Sequence, residues 1–311
     1  MRKNLFLAGL IFALIFSINI YSADTTAFSN PFKYKFNVVN PQEIYKEFIH
    51  SLNPLDLSNF DKALAEFNKL FKGLPPNQTN AAFSDFWNYY IKTADSIAGR
   101  LVYNKKYIQL VGIVDYNTHP EKYSDLKKIN LDNLTNNDFE VLASLNHYGF
   151  KFDLTDGLLF INFSSPEYIL NNLKGSLSNS MEEYIKQTFK EAAQKPMNDG
   201  KIILPLKNIA QRVIWWESFI NHNQNFILVS ECRMTYKFYM SLLFSGDEQA
   251  AFDGYNSKSI EEKYRQTYKE IINNYNGTKT AEAIGKYYRL LQENGFKVNR
   301  EIESFAENFQ P

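Results

Sequence analysis

The chain has 311 residues, 44% of them hydrophobic and 22% charged, with 34 basic and 34 acidic side chains. That composition suits a folded protein of one large or two small domains and excludes an intrinsically disordered one. A net charge near zero leaves no electrostatic footprint for nucleic acid or an anionic membrane surface, so neither is an expected partner.

Arg2 and Lys3 precede an apolar run from Leu5 to Ile20, and Tyr21-Ser22-Ala23 follows with small residues. This is the pattern of a secretory signal peptide, and the run is short of the roughly 20 apolar residues that a spanning helix needs. The expectation is a signal peptide over residues 1–23, with an uncleaved N-terminal anchor as the alternative. Neither Ile20 nor Tyr21 is the small residue that cleavage prefers three positions before the cut. Loss of Arg2 and Lys3 leaves 32 basic against 34 acidic side chains. Cys232 is the single cysteine, so no internal disulfide is expected. The expected location is the bacterial periplasm or beyond, with no membrane span once the signal is removed.

Residues 24–40 are polar and read as a flexible tether, and 41–311 as a single mostly helical domain with sub-halves 41–149 and 150–311 as an alternative division. Pro41 starts a helix that runs to about Ser51. Ser58 with Asp61 resembles a capping box opening a helix from Phe60 to Lys72, whose Phe60, Leu64, Phe67 and Phe71 recur at helical spacing. A third helix is predicted from Thr79 to Ala98, with Phe83, Phe86, Tyr90, Ile91, Ala94 and Ile97 on one side. Residues 100–116 suit either strand or helix. Another helix opens at Thr135 and ends at His147-Tyr148-Gly149.

Asp156-Gly157 is a type I′ turn signal. A two-residue loop there pairs Leu154 with Leu159, Phe152 with Ile161 and Phe150 with Phe163, all on one face, and leaves Lys151, Asp153 and Asn162 on the other. Ser165-Pro166-Glu167 starts the next helix, with Ser165 as N-cap and Pro166 at the first helical position, and another covers Ser180 to Ala193. Asp199-Gly200 is a turn before an extended stretch from Lys201 to Leu204. Helices are predicted over 206–221, 226–245, 259–275, 279–294 and 299–308, with Ser259 and Glu262 as a capping box. Two helix ends are alike: Gly149 and Gly295 each precede a Phe and each offer the left-handed stop conformation. The fold class is mainly α, a multi-helix bundle of packed helical hairpins with one inserted β-hairpin at about 150–163.

Trp215-Trp216-Glu217 holds the residue types of a sugar-processing site. On a helix, Ile209, Val213, Trp216 and Ile220 form one stripe, which makes Trp216 core. Trp215 falls on the side of Arg212 and Phe219, where it is placed to stack on the guanidinium. Arg212, Trp215 and Phe219 are therefore the candidate binding residues and Glu217 the candidate catalytic acid, with structural packing as the competing reading for each. Glycoside hydrolysis needs a second carboxylate about 5–9.5 Å away, which has to come from elsewhere in the fold.

The histidines, His50, His119, His147 and His222, are never three or four apart, so no helical metal pair arises. His147 and His222 stand near helix C-termini, where positive charge is favoured. Cys232, Tyr236 and Tyr239 form a core stripe, and the acidic loop 246–259 lacks calcium-loop spacing. No cofactor and no metal are expected. The functional expectation is an exported, non-catalytic binding or interaction protein of the bacterial envelope, with an unknown protein or glycan partner. A peptidoglycan- or glycan-acting hydrolase is the alternative, and a secreted effector a further one.

Overall fold

A computed structural model describes residues 40–102, 144–155, 158–198, 201–245 and 259–310. The architecture is mainly α, with two small two-stranded sheets. The described residues divide between two compact units, one up to Ala192 and one from Ala193 onward. Among them, no helix is long and apolar enough to cross a membrane.

The first unit opens with α1, Pro41–Ser51, where Pro41 takes the first turn and the Asn40 side chain accepts from the Gln42 N–H at 3.1 Å. Helix α2, Asn59–Phe71, buries Phe60, Leu64, Phe67 and Phe71 to 2% exposure or less, as their spacing predicts. Its capping box does not form. Ser58 is itself helical and gives its hydroxyl to Asp56 at 2.7 Å, while Asp61 accepts from the Tyr148 and Tyr168 phenols at 2.8 and 2.7 Å. Two phenol donors to a carboxylate replace the single backbone donor that a capping box would supply.

Helix α3, Pro76–Val102, is longer than predicted and runs through Gly99. Loss of about 1 kcal/mol of helix propensity at one glycine is too little to end a helix whose other residues pack. Its predicted stripe is buried throughout. Residues 144–147 form the end of a helix. The start of that helix at Thr135, and most of 100–116, lie outside the described residues.

Strands β1, Phe150–Thr155, and β2, Leu158–Phe163, pair antiparallel in the predicted register: Phe150 opposite Phe163, Phe152 opposite Ile161, Leu154 opposite Leu159. The Phe150 ring stacks on Tyr90 of α3 at 4.2 Å, and Phe163 lies 5.5 Å from Trp87. On the opposite face, Asn162 donates to Asp153 at 3.1 Å and to the Ala192 carbonyl at 3.2 Å. A slip of one residue would drive these amide and carboxylate groups into the aromatic layer, which is why the register is fixed. Gly149, with φ of 85°, turns the chain into β1. Helices α4, Glu167–Asn172, and α5, Asn179–Ala193, complete the unit. Helix α4 begins at Glu167, one residue later than predicted, with Pro166 in the cap position, and the Ser165 hydroxyl accepts from the Glu167 N–H at 3.2 Å.

The second unit begins with a tiny hairpin of β3, Met197–Asn198, and β4, Lys201–Ile202. The Asp199-Gly200 turn signal pointed to its second strand only, since two residues are too few to show alternation. Helices α6, Leu206–His222, and α7, Val229–Ser245, pack as one hairpin, and α8, Glu262–Asn274, and α9, Lys279–Glu293, as another, followed by α10, Arg300–Glu307. Ser259 does not cap α8. It forms a β-bridge with Lys297, and the Ile260 N–H donates to the Phe296 carbonyl at 2.9 Å. That pairing keeps the backbone extended and delays the helix to Glu262. Phe296, at φ 59°, shares the left-handed region with Gly295 and is covered by the Arg265 guanidinium at 4.4 Å from its ring centre.

Candidate functional site

The face of α6 that carries the sequence candidates is built by helical repeat. Ile209, Val213 and Trp216 are fully buried and anchor the helix, so Arg212, Trp215 and Phe219 share the neighbouring side. Phe219 is buried and Trp215 only half-buried. The two rings stack at 5.1 Å with an interplanar angle of 15°, while Trp216 meets Trp215 edge-on at 4.8 Å. Trp216 belongs to the core.

Arg212 does not lie on Trp215. Its Nη1 donates to the Tyr239 phenol at 2.8 Å and its Nη2 to the Gln194 carbonyl at 2.7 Å, and the guanidinium carbon sits 5.5 Å from the centre of the Tyr239 ring. Two directed hydrogen bonds plus a ring face outweigh a single stack on an indole, and Phe219, one turn on, takes the Trp215 face instead. Arg212 is 7% exposed.

Glu217, 6% exposed, faces the start of α9. Its Oε1 accepts from the Lys279 N–H at 2.6 Å, and its Oε2 from the Thr280 N–H at 2.9 Å and the Thr280 hydroxyl at 2.5 Å. Thr278 accepts from the Ala281 N–H at 3.0 Å, so the first three N–H groups of the helix all have partners. The Tyr236 phenol meets Thr280 Oγ1 at 3.0 Å and extends the network into α7. A carboxylate at this place also meets the positive end of the helix dipole. The arrangement joins α6, α7 and α9 through one buried acid.

The other chemistry-bearing residues are placed as follows. Cys232 is fully buried with Tyr236 and Tyr239, as predicted, and burial, aided by neighbouring Glu231, pushes its thiol well above the usual range. His222 ends α6, with Nδ1 2.7 Å from the Ser218 carbonyl, and His147 lies at a helix end against the rings of Tyr148 and Tyr168. His119 and nearly all of the acidic loop lie outside the described residues. Among the described residues, no group of three or more His, Cys, Asp or Glu could hold a metal ion.

Two places were missed by sequence reasoning. One is the Tyr148–Asp61–Tyr168 cluster, in which burial first, and the Asp61 hydrogen bond second, push the Tyr148 phenol up to about 12. Its members are 87 and 107 residues from Asp61, so no local spacing announces it. The other is a cleft of about 460 Å³ between the ends of α2 and α4, bordered by Asn68, Lys72, Asn172 and Lys174. Both lysines follow helix C-termini, where a cation is stabilised by the dipole, which accounts for their position there. No protein-family model, no curated protein and no solved structure matches this chain.

Proposed function

We propose that the protein is an exported, non-catalytic binding or interaction protein of the bacterial cell envelope, with a protein or glycan partner. Export rests on the leader, Arg2 and Lys3 before the apolar run to Ile20. The observation that carries the non-catalytic reading is the placement of Glu217. A general acid or nucleophile must meet its substrate, whereas both oxygens of this carboxylate accept from the first turn of α9. Trp215, half-buried on a different side of α6, remains on hand as a contact surface.

The test has two arms. A C-terminally tagged full chain is followed by cell fractionation and N-terminal sequencing, with loss of residues 1–23 in the periplasm as the expected result. Retention in the cytosol would overturn export, and recovery mainly in the medium would favour the effector reading. In the second arm the purified protein is incubated with cell-wall glycan. No release of soluble fragments is expected from wild type or Glu217→Gln. Cleavage by wild type that disappears in a folded Glu217→Gln protein would establish the hydrolase instead.

A further inference from the structure

We infer that Gln42 and Asp85 form a proton-dependent clamp between α1 and α3. With a proton on Asp85, the acid and the amide close a pair of hydrogen bonds; without it, the pair keeps one bond and α1 is held less firmly. The clamp concerns the first unit alone and stands apart from the reading of the protein as an envelope binding protein.

Helix α1 is fastened along one face. Tyr45 and Ile49, three and seven residues after Gln42, are 0% and 3% exposed, and the Tyr45 ring meets Phe67 and Phe71 of α2 edge-on at 5.5 and 5.6 Å. Gln42 adds the polar contact to α3, its Nε2 donating to Asp85 Oδ2. The oxygen of the same amide, Gln42 Oε1, is sealed from solvent and has no hydrogen-bond partner. An orphaned buried acceptor bears its full desolvation cost. A carboxylate cannot answer it, because a carboxylate only accepts. A protonated carboxyl carries one O–H donor and still accepts through its other oxygen. Asp85 is already bonded to this amide, and a proton taken up from solvent turns it into the missing donor.

The surroundings favour that proton. Burial is the largest influence on Asp85 and raises its carboxyl above the ordinary range, against Lys46, His50 and the Gln42 N–H, which all favour the carboxylate. Among the described residues, Lys46 and His50 are the charged groups that act on Asp85; Asp85 in turn acts on the Tyr45 phenol, as does Glu66 of α2. Lys46 and His50 are exposed, so solvent and salt screen their pull, whereas the amide contact is direct and part-buried. For a group raised in the folded state, the added hold is complete below the ordinary carboxylate range and is lost as pH rises through the raised value. The clamp therefore tightens in acid, and its loosening at higher pH eases Tyr45 off the Phe67 and Phe71 rings.

The test is amide hydrogen exchange of α1 in the full-length protein, read by mass spectrometry at a series of pH values from about 4 to 8. Rates are expressed as protection factors, which removes the intrinsic pH dependence of exchange, and α5 of the same unit is the reference for global opening. Wild type is expected to protect α1 roughly fivefold more at the acid end, the worth of one net hydrogen bond. His50→Gln, which removes the histidine of α1, is expected to show the same rise. Asp85→Asn offers an N–H and a carbonyl to Gln42 at every pH and is expected to hold the acid level of protection throughout. Gln42→Leu is expected to abolish the rise. A rise that survives in Gln42→Leu, that vanishes in His50→Gln, or that is equal in α5 overturns the clamp. So does an α1 in wild type whose protection is constant or falls in acid, the latter assigning the contact to attraction by Lys46. If Gln42→Leu does not fold, a rise that persists in Asp85→Asn overturns it.

Discussion

Replacing Gly149 with alanine separates two costs that its counterpart Gly295 does not combine. Both glycines end a helix before a phenylalanine, and both have positive φ, 85° and 63°. An alanine in the left-handed region loses about 1–2 kcal/mol, of which about 0.5 kcal/mol is returned by the stiffer unfolded chain. For Gly295 that is the whole account, because a Cβ there meets nothing within 4 Å. At Gly149 the added carbon would lie 2.4 Å from the Ser165 carbonyl oxygen and 3.0 Å from the Tyr90 hydroxyl. Ser165 is held by its place at the start of α4, and the Tyr90 hydroxyl by its 2.6 Å bond to the Tyr148 carbonyl. Relief must shift backbone or break that bond, adding about 1–3 kcal/mol for overpacking and about 1 kcal/mol for the hydrogen bond. Gly149→Ala is thus expected to cost about 3–5 kcal/mol and Gly295→Ala about 1 kcal/mol. Scanning calorimetry should show falls in Tm of roughly 6–20 °C and 2–4 °C, at about 2–4 °C per kcal/mol for units of this size. Equal losses in the two variants, or a Gly149→Ala protein within about 1 kcal/mol of wild type, would refute the steric argument.

Three further outcomes follow from named contacts. Glu217→Gln keeps the shape but turns an amide N–H₂ toward donors at the start of α9, so urea denaturation should show a loss of about 2–4 kcal/mol, from the helix charge and an orphaned buried N–H. Asp85 is held above its ordinary pKa by burial, opposed by Lys46, His50 and a hydrogen bond from Gln42. Its folded form therefore binds the proton more readily than its unfolded form, and its contribution to stability falls as pH rises through that window. Asp85→Asn should remove that part of the pH dependence, read from denaturation at a series of pH values. Asp61→Asn should lower the Tyr148 phenol from about 12 only part of the way, because burial is the larger cause; ultraviolet absorbance titration reads the shift.

The hairpin and the helix stripes were legible because each depends on local periodicity joined to one turn signal. Asp156-Gly157 sets the register of β1 and β2, and the buried side of α2 can be counted from Phe60 to Phe71. What escaped were contacts whose partner is distant along the chain. Asp61 and Ser259 carry sound capping signals, but the Tyr148 and Tyr168 phenols claim the first and Lys297 the second. The same holds at the candidate site. Helical geometry placed Trp216 in the core and Arg212 beside Trp215. It could not foresee that Tyr239, 27 residues on, would take the guanidinium, or that Thr280, 63 residues on, would meet Glu217. Polar side chains choose partners by reach and charge, and apolar ones by which face of their own element they occupy, so the second kind of information is written locally and the first is not.

The complete burial of Cys232 gives the second unit a built-in clock. A thiol with no solvent contact, and held protonated by its surroundings, reacts with an alkylating reagent only when α7 is exposed, so the modification rate measures how often that helix opens. Because the chain has a single cysteine, the signal carries one position only. Followed with and without a ligand on the adjoining helix, it would report whether occupation of that surface is felt in the interior.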